Sequence, residues 1–242
     1  MIRALAFLVL SGCATAQVAI PPTQVADLER SLNGAERFLR VSMFLTPFFG
    51  DATRRLLTPV APELVRLLEG TNGKPINPGP PERIFPAGTA VRIAKVEFPS
   101  AWVMTERVLY TPRSLVWIYL EVEGSPRNTP LAVLVLRPGL STEQDFTTEL
   151  ERHLTRENQT ARLENFSEGV KEAIRAKLVI VDMPAEAVEM AWGFPESKRI
   201  ELVETQRKET WRWGDGARVA TLVDGKLTAF TSASGASSVS SP

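Results

Sequence analysis

An α+β fold is what this sequence predicts, and three observations predict it. Val25, Leu28, Leu32, Ala35, Leu39 and Met43 recur at steps of three and four, with Asp27, Glu29, Arg30, Glu36, Arg37 and Arg40 off that stripe, which is the period of an amphipathic helix. Short β-rich runs follow at 89–96, 102–110, 115–122 and 131–136, punctuated by Pro99, Thr111-Pro112, Gly124-Ser125-Pro126 and Pro138-Gly139. The last third reads as two helices and then strands joined by tight glycine turns. The expected architecture is an N-terminal helical segment, a central small antiparallel sheet with one helix, and a C-terminal domain of two helices and three strands.

Composition bounds what such a chain can do. Its 242 residues suffice for one or two domains, and 44% hydrophobic with 23% charged residues supports a packed core. Lys plus Arg is 28 and Asp plus Glu is 28, so net charge gives no general attraction to nucleic acid or anionic lipid. One cysteine and one histidine exclude a disulfide within the chain and a Cys/His zinc cluster. After residues 1–10 no apolar run approaches the roughly 18–20 residues of a membrane-spanning helix.

The N-terminus, residues 1–16, reads as an export signal. Arg3 supplies a positive charge and residues 4–10 are a continuous apolar run. Leu10-Ser11-Gly12-Cys13 then resembles the bacterial lipobox, an aliphatic residue and two small ones before a cysteine. The resemblance implies cleavage before Cys13, acylation of its thiol, and a membrane held through that N-terminal lipid at roughly 0.8 kcal/mol per buried methylene. In such lipoproteins an uncharged residue after the cysteine, here Ala14, goes with a periplasm-facing place in the outer membrane. Two other readings stay open. Ala14-Thr15-Ala16 is a small-x-small site, so cleavage before Gln17 would release a periplasmic or secreted protein without Cys13. An uncleaved apolar N-terminus with a chance cysteine is the third.

Along the mature chain, residues 17–69 are expected to be helical, entered through a Pro-rich tether at 18–23. Gly34 weakens the first helix, and Thr46-Pro47 and Gly50 end it. Asp51 can cap a second helical stretch that Pro59 and Pro62 interrupt before residues 64–68. Residues 43–49 are strongly apolar, and a helix–helix contact inside the fold explains them better than a lipid- or partner-facing patch. The Gly/Pro-rich stretch 70–83 is the expected linker and first domain boundary. Residues 84–157 should form the antiparallel sheet plus a helix, which Ser141 caps while Gln144 bonds back. Polar residues 158–165 mark a second boundary, and 232–242 a loose Ser/Ala-rich tail.

Within 165–231, Val170, Ala173, Ile174 and Leu178 form a helical stripe. Asp182 or Met183 caps the next helix, with Pro184 in its first turn and Ala187, Val188, Ala191 and Trp192 as its apolar face. Gly193-Phe194-Pro195 stops it, with Gly193 at positive φ, and strands follow around the turns Gly214-Asp215-Gly216 and Asp224-Gly225. This order of a short helix, Met183-Pro184-x-x-x-Val188, Trp192-Gly193-x-Pro195, Trp211-Arg212-Trp213-Gly214 and Asp224-Gly225-Lys226-Leu227 resembles the SmpA/OmlA family of small outer-membrane lipoproteins, which includes an accessory subunit of the β-barrel assembly machinery. The likeness covers about residues 168–231. It departs from the family at Asp182, where glycine is usual, and at Trp192, where leucine is usual. It implies two helices on a three-stranded antiparallel sheet and a role in outer-membrane assembly or integrity.

No motif announces catalysis. His153 is the one imidazole, with Glu149 a turn earlier on the same helix, and a general base there would need a nucleophile or metal beside it. Glu143, Asp145, Glu149 and Glu151 read as a solvated helix face, and Glu186 and Glu189 as charges near the start of another helix. No phosphate loop, nucleophile elbow or metal-ligand spacing occurs, so neither cofactor nor metal is expected. Trp102 and Trp117 fall in the middle sheet. Trp211 and Trp213 stand two apart on one strand and so share a face, either as a partner-binding surface or as core under the helices, core being favoured for at least one. The resulting expectation is a non-enzymatic outer-membrane lipoprotein that scaffolds or binds another envelope protein, with no nucleic-acid role. The alternative is a secreted inhibitor or ligand-binding module, and an enzyme of unassigned class comes third.

Overall fold

The structure, a computed structural model, describes residues 18–125 and 130–232. Cys13 and its lipidation, the alternative cleavage before Gln17, and the tail 233–242 lie outside the described residues. The fold is α+β, with 25% of the chain in helices and 36% in strands, in two sheets.

The N-terminal segment is where the structure departs most from expectation. Helix α1 (Pro22–Leu32) starts on a proline whose missing N–H costs nothing in the first turn. It stops at Asn33-Gly34, where Gly34 takes φ +82° and donates its N–H to Ile93 O at 2.7 Å. The apolar stripe then continues not as helix but as strand β1 (Glu36–Leu39). Strands β2 (Met43–Phe48) and β3 (Asp51–Thr58) follow as a hairpin turned by Phe49-Gly50. Pro47 and Gly50, the expected helix stops, are a strand proline beside a register shift and a turn glycine. Asp51 opens a strand rather than capping a helix; its carboxylate accepts from Thr53 N at 2.9 Å. Residues 18–69 thus hold one α-helix and three strands rather than two helical stretches. From the apolar run 43–49, Met43, Leu45 and Phe48 are buried because β2 is covered on both faces, the first two in one core and Phe48 in another.

The 70–83 linker is likewise not a boundary. After a short 3-10 turn at Pro62–Leu64, the loop is tied by a Glu69–Pro75 bridge and by Ile76 N to Leu68 O at 2.8 Å, and runs into β4 (Arg83–Phe85), which pairs back onto β2. The next elements are β5 (Ala90–Glu97), α2 (Ala101–Glu106), β6 (Trp117–Val122), β7 (Leu131–Val135), α3 (Glu143–His153) and β8 (Leu154–Thr155). Together β1 to β8 make one eight-stranded sheet in the order β4-β2-β3-β7-β6-β5-β1-β8, antiparallel except where β3 runs parallel to β7. The stretch expected as strand at 102–110 is instead α2, capped by Ser100, whose Oγ accepts from Val103 N, and an extended loop. Helix α3 has its capping box one residue later than expected: Thr142 accepts from Asp145 N, and Asp145 accepts from Thr142 N.

Strand alternation gives this sheet two apolar faces. Ile118, Leu120 and Leu134 join Leu28 and Leu32 of α1 and Phe146 and Leu150 of α3 in one core. Trp117, Tyr119, Val133 and Val135 join Phe48, Leu56 and Val65 in another. Beyond α4 (Thr160–Glu164), in the stretch expected as a polar boundary, come the two expected helices, α5 (Glu168–Arg175) and α6 (Ala185–Trp192). They pack on a four-stranded rather than three-stranded antiparallel sheet of β9 (Ser197–Val203), β10 (Gln206–Trp213), β11 (Arg218–Val223) and β12 (Lys226–Ser232), ordered β12-β11-β10-β9. This third core holds Ile174, Met183, Val188, Trp192, Trp211, Trp213 and Leu227.

Candidate binding cleft

His153, at the end of α3, is held by its own helix. Glu149 one turn earlier is 5% exposed, and its Oε1 lies 3.4 Å from His153 Nε2. Arg137, just past β7, brings Nε to 2.9 Å from Glu149 Oε2 as an ion pair whose geometry falls short of a hydrogen bond, and Arg152 Nε stands at 3.9 Å. Burial opposes ionisation of Glu149, but the hydrogen bond and charge of His153, with the Arg137 and Arg152 guanidiniums, outweigh it and hold the carboxyl below its ordinary range. His153 Nδ1 is buried with no hydrogen-bond partner. Glu149 is thus not the solvated residue its sequence neighbourhood suggests.

This network forms one wall of a cleft of about 400 Å³ between the two sheets. The opposite wall is Trp192, Gly193, Phe194, Trp213 and Arg218. The Arg218 guanidinium lies 5.2 Å from the Trp192 ring and that of Arg152 5.6 Å from Phe194. Burial lowers the Arg218 pKa, against the pull of Glu63. Gly193 ends α6 at φ +87° and accepts from Trp213 Nε1 at 3.0 Å, which fixes the apolar wall. Among the described residues the lining contains no Ser, Thr, Cys, Lys or Tyr side chain beside His153. What the cleft offers chemically is guanidinium charge beside indole and phenyl surface, a setting for a ligand with an anionic end and an apolar body.

The two sheets are joined behind this cleft by buried polar groups. Ser42, between β1 and β2, donates Oγ–H to Ile174 O at 2.7 Å and its N–H to Met190 O at 2.7 Å. Lys177 donates from Nζ to Ser42 O at 2.5 Å and Ala191 O at 2.9 Å. It is fully buried; desolvation, with the charge of Arg218 adding to it, pushes its pKa well below the ordinary lysine value. Nothing in sequence spacing marks Ser42 or Lys177, because their pairing spans 135 residues.

Trp211 and Trp213 do share a face of β10, but that face is core, not partner surface: they are 2% and 7% exposed. Trp211 Nε1 donates to Glu209 at 2.9 Å, and Trp192 meets Trp213 edge-on with centroids 5.3 Å apart. The accessible tryptophan is Trp102, 71% exposed on α2 rather than in a sheet, and Leu109 and Tyr110 in the loop after α2 are also exposed. That loop is braced by Arg107, which donates to Glu97 and to the carbonyls of Arg113 and Leu115 and stacks on Trp117. Glu186 and Glu189 do not form a carboxylate pair: Glu189 takes Lys198 Nζ at 2.6 Å, and Glu186 faces Arg162 at 3.8 Å. Among the described residues no cluster of His, Cys, Asp and Glu could hold a metal ion, and no helix is long and apolar enough to cross a membrane. No family model, curated protein or solved structure matches the chain.

Proposed function

We propose that the protein is a non-enzymatic lipoprotein of a bacterial outer membrane, acylated at Cys13 and facing the periplasm, where it binds or scaffolds another envelope protein. The single observation that carries this is Leu10-Ser11-Gly12-Cys13 directly after an apolar run. The C-terminal geometry supports the SmpA/OmlA likeness at one of its points of departure. Asp182, which replaces the family's glycine before Met183, has φ +68°, a conformation glycine enters freely and aspartate tolerates. Gly193 after α6 and Gly225 in the last hairpin both have positive φ, as the pattern requires. The fourth strand extends beyond that pattern.

The test is palmitate labelling in a Gram-negative host. The wild type should incorporate label and fractionate with the outer membrane, whereas Cys13→Ser should do neither. Unlabelled wild-type protein released in soluble form would favour the second reading, a secreted ligand-binding module. The cleft of Arg152, Arg218, Trp192 and Phe194 supports that module reading. Binding of an anionic amphiphile such as dodecyl phosphate, lost in Arg218→Ala, would then identify the cleft as its site.

A further inference from the structure

Among the described residues, strand β9 is an edge of the C-terminal sheet and is bonded to β10 alone. Which of its backbone groups are free follows from strand alternation. Asp224 N donates to Arg207 O at 2.9 Å, and Arg207 N donates to the Asp224 carboxylate at 3.0 Å, so Arg207 turns its backbone groups towards β11. Lys208 therefore turns its own towards β9, opposite Glu201. On β9, Arg199, Glu201 and Val203 are engaged with β10, and Lys198, Ile200 and Leu202 point their N–H and C=O groups away from the sheet.

This row lacks the usual protection of an edge. A lysine commonly guards such strands, but Lys198 is drawn back onto its own molecule, with Nζ 2.6 Å from Glu189 and 3.9 Å from the Trp211 ring centroid. Ile200 is 54% and Leu202 76% exposed, on the same face as the buried Trp211 but beyond the cover of the helices.

We propose that β9 is a homodimerisation strand, pairing antiparallel with β9 of a second copy about a twofold axis at Ile200. The strand's sequence is complementary to itself in that register alone. Pairing centred on Ile200 sets Ile200 against Ile200 of the second copy, Lys198 against its Leu202, and Arg199 against its Glu201. Because Lys198, Ile200 and Leu202 are the outward residues, the next allowed registers move by two residues in the partner strand. One of them sets Arg199 on Arg199 and the other sets Glu201 on Glu201, so like charges oppose both slips. In the favoured register Arg199 and Glu201, already paired within their own strand at 2.8 Å, extend into a row of alternating charge across the axis. About six backbone hydrogen bonds close across it, and the two four-stranded sheets become one. The proposal does not depend on the lipobox.

The experiment is light scattering or sedimentation of the full chain carrying Cys13→Ser, at concentrations up to about 100 µM. The expected result is a reversible dimer of twice the chain mass. Arg199→Glu and Glu201→Arg should each weaken it by roughly tenfold or more, because each places like charges on both sides of the axis. Mixed together, these two variants should form a heterodimer, because the acidic strand of one then faces the basic strand of the other. Oxidation of Ile200→Cys should cross-link two copies through that position, within the Cα separation a disulfide spans. A wild type that remains monomeric throughout, a dimer unaffected by either charge reversal, or variants that fail to associate on mixing would each overturn the proposal.

Discussion

Gly193 and Lys177 show how much can rest on one residue at the join of two sheets. Gly193 has φ +87°, and a Cβ there would stand 3.2 Å from Pro59 Cβ. Gly193→Val should therefore lower stability by roughly 1–2 kcal/mol through backbone strain and crowding together, measured by urea unfolding. Wild-type stability in the substituted chain would mean that the turn after α6 relaxes at no cost. Lys177 makes a pH prediction. Its folded pKa lies well below the ordinary 10.5, so between those values the unfolded chain binds a proton that the folded chain does not. Unfolding free energy should rise with pH through that window, and the Lys177 part of the rise should vanish in Lys177→Met. A slope unchanged by the substitution would mean that the buried amine keeps its proton. Positive φ at Gly193 was legible from Trp192-Gly193-x-Pro195, since a glycine just past a helix and before a proline has few other uses. Lys177 was not legible: a lysine after a helix reads as a surface charge until its distant carbonyl partners are known.

At the level of elements, the C-terminal half was far more legible than the N-terminal half, and the reason is the range of the contacts that decide. Helix α6 and the β11–β12 hairpin are specified locally, by Pro184, Gly193 and Asp224-Gly225. Strand β1 is not. Its residues Glu36–Leu39 fit a helical stripe continued from α1, and what overrides that stripe is pairing with β5, more than 50 residues away, through Glu36–Arg92 and Phe38–Ala90. Gly34 was the available local signal, and a left-handed glycine before a strand outweighs an apolar period shared by only three later residues. Strand β10 carries this scale's prediction. Its Trp213 is 7% exposed, meets Trp192 edge-on and bonds Gly193 O, so Trp213→Ala should cost roughly 3–5 kcal/mol by opening a cavity under α6. Trp102→Ala, on exposed α2, should cost less than about 0.5 kcal/mol. Equal losses in thermal or chemical unfolding would contradict the assignment of Trp213 to the core and Trp102 to the surface.

For the whole molecule, the decisive fact is that the Gly/Pro-rich stretch 70–82 leads back into the sheet it leaves. Composition marks a segment as extended and turn-rich, but it does not say whether the chain on either side joins one sheet or two. Here β2 lies between β4 and β3, and β3 runs parallel to β7, so strands before the loop are interleaved with strands after it. Leu39, Met43, Leu45 and Leu57 from before the loop share one core with Ile93, Ile118, Leu120 and Leu134 from after it. Ser42 adds its bonds to Ile174 and Met190, so the N-terminal segment also holds the C-terminal helices in place. Cutting the loop should therefore break the chain without separating the molecule. With a protease site inserted between Gly73 and Lys74, the two fragments should co-elute in gel filtration after complete cleavage and part only in denaturant. A chain lacking residues up to 69 should fail to fold, because it would expose β5, β4 and β7 along their lengths and remove 8 of the 24 buried residues of that core. The opposite result, fragments that separate in native buffer while the piece from residue 74 onward keeps its circular dichroism, would show that the segments before and after the loop are independent domains.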